Sequence, residues 1–288
     1  DVERSRGLGD VYKRQEQYGI EPFIKKCKES VWKYKHEWEV MSDRIGYWAD
    51  MKHPYITYED NYIESVWWSL KQIADKGLLY KGYKIVPYCP RCGTALSSHE
   101  VAQGYKDVEE KSVFVKFAVK GRKDAYFLAW TTTPWTLPSN VALCVNPAED
   151  YAEIKVGGET YIMADALVGS LFGEGEYEKL SVKKGKEYEY TEYEPLFDYE
   201  TGAKEKAWYV TCDGYVTLTD GTGVVHIAPA FGEDDSNVGK HYGLPFVQMV
   251  DSRGRFVDAA YDLKGVFAKD ADKLIIERPV SYTHLTLP

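Results

Sequence analysis

No uninterrupted apolar stretch in this chain approaches the roughly 18 residues a membrane-spanning helix needs, and no apolar run near its start resembles a secretory signal. The expectation is a protein without a membrane partner. Cysteine is scarce: Cys27, Cys89, Cys92, Cys144 and Cys212 are the whole set. An odd number with one close pair argues against a secreted disulfide framework and for a reduced, cytoplasmic compartment. Basic charge is short as well, since 36 Lys and Arg stand against 45 Asp and Glu, for a net charge of −9. With no basic tract, a non-specific polyanion binder is disfavoured. A nucleic acid gripped by a few local cations is not. No internal repeat is visible. What the chain does hold is core-forming material: 44% of its 288 residues are hydrophobic and 15% aromatic, with 24 Tyr and 8 Trp. That excludes disorder throughout and fits one large domain or two medium ones.

The apolar spacing changes character along the chain. From about residue 16 to 41 it is helical, with Trp32, Tyr34 and Trp38 among charged residues. The clearest helix runs from Asp60 to Lys76, where Ile63, Val66, Trp67, Leu70, Ile73 and Ala74 recur at spacings of three and four and form one stripe. Asp60 is its candidate N-cap and Gly77 its candidate C-cap. A compact cysteine-bearing turn follows at 87–96. Near Val108 the pattern becomes strand-like: Val113, Val115, Phe117 and Val119 alternate with their neighbours. Further strands are predicted at 126–131, 141–145, 151–156, 161–164, 223–228 and 246–250, and helices at 234–242 and 269–278. Residues 173–207, rich in Glu, Lys and Tyr, read as an exposed, extended excursion. A helical front end thus precedes a β-rich body, either a barrel or a mixed α+β domain. Residues 1–15 and 279–288 fit neither pattern; ordinary frayed termini would account for them, and the preferred expectation is translated adapter flanking a gene cut on both sides.

Three motifs carry chemistry. The run Trp130-Thr131-Thr132-Thr133-Pro134-Trp135-Thr136 sets a row of hydroxyls at a strand end between prolines and tryptophans. Each hydroxyl can donate and accept, which suits ribose hydroxyls or a hydrolytic water; an ordinary strand edge with proline-bounded turns accounts for it equally well. The run from Gly221 through His226 to Asp235 delivers a histidine into a Gly-Pro loop ahead of an acidic helix start. A lone histidine is more often structural, and acids at a helix start are favoured by the helix dipole anyway. Asp235 is nevertheless suited to hold a ligand ammonium. The third run, Tyr88-Cys89-Pro90-Arg91-Cys92-Gly93, is a zinc-knuckle half-site, with His99 and Glu100 nearby and no second C-x-x-C to complete a tetrahedral set. His-Glu lies downstream of the cysteines and without the intervening residue of H-x-E, which excludes a zinc deaminase. No βαβ pattern surrounds the cysteines to support a thioredoxin-like redox role.

Taken together these segments resemble the isoleucyl-tRNA synthetases, within the class I aminoacyl-tRNA synthetases. Residues 41–48 and 62–68 resemble the region after the family's first nucleotide-binding motif. Residues 88–107 look like the start of its inserted connective-peptide domain. The threonine run and the His226 run look like the two walls of that domain's editing pocket. The resemblance spans about 16–278, with its motifs in family order. T-T-T-P-W stands where valyl relatives carry T-T-R-P-E. The fold it implies is α+β: residues 16–107 as a helical segment from a Rossmann-type catalytic domain bearing the zinc half-knuckle, then residues 108–278 as a β-barrel-like mixed editing domain.

The resemblance also implies roles. Thr131, Thr132 and Thr133 would line the site of the terminal adenosine and the scissile ester. Trp130, Trp135 and Thr136 would bound the aminoacyl pocket. His226 would admit a valyl but not an isoleucyl side chain, and Asp235 would anchor the free α-ammonium. Cys89 and Cys92 would supply half of a zinc site whose other pair lies beyond the C-terminal end. The implied activity is hydrolysis of mischarged valyl-tRNA(Ile), with the tRNA acceptor end as partner, no cofactor required and a monomeric state. ATP would belong to the parent enzyme alone. The family's H-I-G-H and K-M-S-K-S motifs are absent from the chain, so charging of tRNA is not expected. Two other readings compete: a non-catalytic structural or RNA-binding fragment, and an editing fragment of a valyl or leucyl enzyme. Deacylation assays with competing aminoacyl-tRNAs separate them.

Overall fold

The computed structural model describes residues 17–109, 111–203 and 206–277. The expected adapter segments, 1–15 and 279–288, lie outside the described residues. The described chain divides into two compact units at Lys84/Ile85.

The first unit is helical: α1 (Ile20–Trp32), α2 (Lys35–Arg44) and α3 (Asp60–Asp75). The single helix expected over 16–41 is therefore two. It breaks after Trp32, whose indole N–H donates to the Tyr58 hydroxyl at 2.5 Å. α3 matches its predicted span, with its caps shifted by one position. Glu59 is the N-cap and Asp60 contributes only its charge to the first turn. Gly77, at φ +70°, adopts the left-handed turn that lets the Leu78 N–H reach the Ile73 carbonyl at 3.2 Å. The predicted stripe exists, but no residue of α3 is buried: Val66 and Leu70 remain 39% and 38% exposed.

The second unit is α+β. It opens with the hairpin β1 (Tyr88–Cys89) and β2 (Thr94–Ala95), then α4 (Ser98–Ala102). Ser97 and Glu100 form a reciprocal capping box on α4, so the acid near the cysteines serves the helix start. The cysteine turn belongs to this unit: the Tyr88 hydroxyl donates to the Ser252 carbonyl at 2.9 Å, and Gly254 packs against Pro90.

Five strands, β3 (Val113–Ala118), β4 (Ala125–Thr131), β6 (Asp150–Val156), β7 (Glu159–Ala164) and β8 (Glu178–Lys184), form a sheet in the order β3-β4-β7-β6-β8. All pairs are antiparallel except β4 with β7. A second sheet of β5 (Ala142–Val145), β9 (Tyr209–Cys212) and β10 (Val224–Ile227) has the order β10-β5-β9, with β5 and β9 parallel. Helix α5 (Val168–Leu171) follows β7, α7 (Ala268–Ile276) packs along a 3-10 helix at Pro134–Ser139, and α6 (Glu233–Tyr242) packs on β10, an edge of the second of the two sheets. Phe117, Phe127, Leu143, Ile154 and Ile162 are fully buried between them. Buried aliphatic and aromatic side chains of this size stabilise by roughly 1.5–3 kcal/mol each, which makes this unit the stable body of the chain.

Three expectations need correction. The sheets do not close into a barrel among the described residues. Bridges Val119–Tyr193 and Glu192–Tyr209 link them into one curl, and β10 folds back against β4, but β8 and β10 remain edges. Residues 173–207 are not a free excursion. They supply β8 and the buried Tyr188, Tyr193 and Ala203. The strand expected at 246–250 is reduced to a single bridge, Val250–Phe256.

Candidate functional site

β4 ends at Thr131, and Pro134 starts the 3-10 helix that carries Trp135 and Thr136. Proline suits that first position, because its fixed φ is helical and its missing N–H would go unbonded there in any case. Past the strand end the threonine row divides. The Thr131 and Thr133 hydroxyls face each other at 3.3 Å, with the Thr133 N–H donating to Thr131 Oγ1 at 3.1 Å, while Thr132 is exposed. Trp130 is half-buried against Gly221. There a Cβ would sit 2.8 Å from the indole and φ is +74°, so only glycine fits.

β10 brings His226 to the same place. Its Nε2 lies 2.9 Å from Thr136 Oγ1. The Thr136 hydroxyl donates its one proton to the Thr133 carbonyl at 2.8 Å, so the imidazole must be the donor to Thr136. That fixes the Nε2–H tautomer and leaves Nδ1 as a buried acceptor with no partner among the described residues. Burial lowers the His226 pKa to about 4, so the ring is neutral at physiological pH. One loop further on, Phe231 meets Trp135 edge to face, with ring centroids 4.9 Å apart. The two runs therefore share one site.

Asp235 sits in the first turn of α6 beside Gly232, where an added Cβ would lie 2.9 Å from the carboxyl carbon. Its Oδ2 accepts the Ala228 N–H at 3.0 Å. Burial raises its pKa to about 6, against the opposing pull of that hydrogen bond. A carboxylate stripped of solvent but still ionised at neutral pH gains from an incoming cation. Gly239 lets α6 approach closely, since a Cβ there would come within 3.0 Å of the Pro229 ring.

One contributor escaped the sequence reading. Asp272, on α7, accepts the Trp135 N–H at 2.8 Å. Nothing local in the chain signals a partner 137 residues away.

Cys89 and Cys92 form the expected tight turn, with the Cys92 N–H 3.4 Å from Cys89 Sγ and Gly93 at φ +71°. Burial works to raise the Cys89 pKa, but hydrogen bonds from Cys92 and the neighbouring Arg91 outweigh it and hold the thiol below its ordinary value. Two thiols are half of a tetrahedral zinc set. No group of three or more His, Cys, Asp or Glu side chains suited to a metal exists among the described residues. None of the described helices is long and apolar enough to cross a membrane.

This chain belongs to the class I tRNA synthetases: the family model for tRNA synthetases class I (I, L, M and V) matches residues 2–233. Within that class its similarity is to the isoleucyl members. It is 58% identical over 278 residues to an isoleucine–tRNA ligase of Clostridium acetobutylicum, covering 96% of this chain and 27% of that protein. It is 50% identical over 275 residues to one of Bacillus thuringiensis, covering 96% and 26%. The chain thus spans little more than a quarter of the length of these relatives. Among solved structures, a cytosolic leucyl-tRNA synthetase editing domain of P. knowlesi is similar with a TM-score of 0.46 at 13% identity, over 63% of this chain and 98% of that one.

Proposed function

We propose that the second unit is a proofreading hydrolase that removes valine from mischarged tRNA(Ile), with the tRNA acceptor end as its macromolecular partner. The observation that carries this reading is the hydrogen bond between Thr136 and His226, which joins two otherwise distant motifs into one site. A pocket built to accept isoleucine rejects valine weakly, because one methylene is worth only about 1–3 kcal/mol, a magnitude measured on isoleucine-charging enzymes themselves. A second, smaller pocket that hydrolyses what fits supplies the missing discrimination.

Each residue has a part in that chemistry. Asp235 takes the substrate α-ammonium in a charge-assisted bond and sets its register. His226, neutral and locked in one tautomer, acts as a wall that leaves room for a valyl side chain and excludes an isoleucyl one. Thr131 and Thr133 orient the terminal ribose and the attacking water. The ester is already reactive, so positioning the water and stabilising the oxyanion through hydroxyls and backbone N–H groups suffice. No covalent intermediate is required. The first unit is read as part of a Rossmann-type synthetic domain. ATP use is assigned to the full-length parent, and zinc to Cys89 and Cys92 only when two further ligands are supplied from elsewhere.

The test is deacylation of valyl-tRNA(Ile) and isoleucyl-tRNA(Ile) by this chain. Selective release of valine is expected. RNA binding without release of either amino acid would replace this reading with a non-catalytic one.

A further inference from the structure

We infer that Asp272 is a positioning residue of the candidate site: it caps the 3-10 helix in place of Thr133 and so keeps the Thr133 hydroxyl turned toward Thr131. The first turn of any helix leaves N–H groups without internal partners, and the residue before the helix normally serves one of them with its own side chain. Here that residue is Thr133, a competent capper, yet its side chain makes no capping bond. Its hydroxyl is engaged with Thr131 at 3.3 Å instead. Pro134 has no N–H to satisfy, so the first donor to be served belongs to Trp135. The carboxylate that serves it comes from a different element: Asp272 Oδ1 at 2.8 Å, on α7, which packs along this 3-10 helix. The arrangement also suits the charges, because a carboxylate at a helix start meets the positive end of its peptide dipoles.

This division of labour has a chemical purpose. A threonine that caps its own helix commits its rotamer and one of its two acceptor lone pairs to a backbone donor. A threonine relieved of capping keeps both for a ligand or a water. Thr136 follows Trp135 directly, so the same contact also fixes the backbone that presents Thr136 to His226.

The inference rests on the proposed hydrolysis for its kinetic consequence but not for its structural one, and two measurements separate them. The first is the χ1 rotamer of Thr133, read by NMR three-bond couplings to its methyl group in this chain. Asp272→Ala is expected to move Thr133 to the rotamer that serves the Trp135 N–H, whereas Asp272→Asn, which retains an acceptor oxygen, leaves it in place. The second is valyl-tRNA deacylation. Asp272→Ala is expected to lower kcat on the order of tenfold with KM little changed, since small misplacements of reacting groups carry penalties of that size or larger. Asp272→Asn should restore most of it. In the Asp272→Ala background, Thr133→Ala should cost less than it does in the wild type. An unmoved Thr133 rotamer in Asp272→Ala, or a wild-type kcat in that variant, overturns the assignment. A moved rotamer in a chain that releases no valine upholds the positioning role and removes the hydrolytic reading instead.

Discussion

Thr136 and His226, 90 residues apart, share a hydrogen bond of 2.9 Å in which the imidazole donates, because the threonine proton is already given to the Thr133 carbonyl. The contact holds a neutral ring in one orientation against the end of the threonine loop. His226→Ala should open the space the ring fills. Isoleucyl-tRNA(Ile) then becomes a substrate alongside valyl-tRNA(Ile), and the ratio of their deacylation rates falls toward one. An unchanged preference for valine would falsify the sieving role.

Thr136 is buried and makes both bonds with one hydroxyl. Thr136→Val keeps the shape and deletes the hydroxyl, which leaves His226 with no partner on either ring nitrogen. The expected loss of stability is about 1–3 kcal/mol, the usual penalty for stranding a buried polar group. Urea denaturation followed by tryptophan fluorescence measures it, and a wild-type midpoint would show that the bond contributes nothing.

Asp235 links stability and activity with opposite signs. Its pKa rises from 3.8 to about 6 on burial, so between those values the native state binds more protons than the unfolded state. This group's contribution to stability therefore falls as pH rises through that window. Asp235→Asn should stabilise the chain by about 1–3 kcal/mol above pH 6 and by nothing below about pH 4. The same substitution should abolish valine release. In the wild type, kcat/KM should decline below about pH 6 as the carboxylate that holds the ammonium is protonated. The His226 pKa of about 4 places its own titration below this range. A flat kcat/KM profile from pH 5 to 8 counts against Asp235 as the anchor.

Gly232 lacks room for a methyl group because the Asp235 carboxyl fills the space, 2.9 Å from where a Cβ would stand. Its φ of −126° is open to any residue, so the constraint is contact and not backbone strain. Gly232→Ala should displace the carboxylate and raise KM for valyl-tRNA severalfold while the chain stays folded. Steady-state kinetics beside a melting curve checks both halves of that expectation.

The parts of this fold that the sequence disclosed are those with a local signature. Val113, Val115 and Phe117 announced β3 by alternation, and the spacing from Ile63 to Ala74 announced α3. β8 stayed hidden because an edge strand with mostly exposed residues alternates too weakly to stand out from a Glu- and Lys-rich stretch. The parallel partnership of β5 with β9 depends on residues more than 60 positions apart, and no local pattern encodes that choice. At the site, the threonine and histidine runs were visible as motifs. The exposure of Thr132 and the tautomer of His226 follow only from three-dimensional contacts, as does the cap from Asp272.

The pieces of this site are made at different times. As a chain grows, β4 and the threonine loop emerge first, His226 follows some 90 residues later, and the carboxylate on α7 comes last, 137 residues after the tryptophan it secures. Contacts between such distant segments form late, because the intervening chain must be ordered before they can close. A nascent polypeptide therefore brings the threonine loop and His226 into being before the carboxylate that secures the Trp135 N–H, and that contact waits until the segment bearing Asp272 has been synthesised and docked.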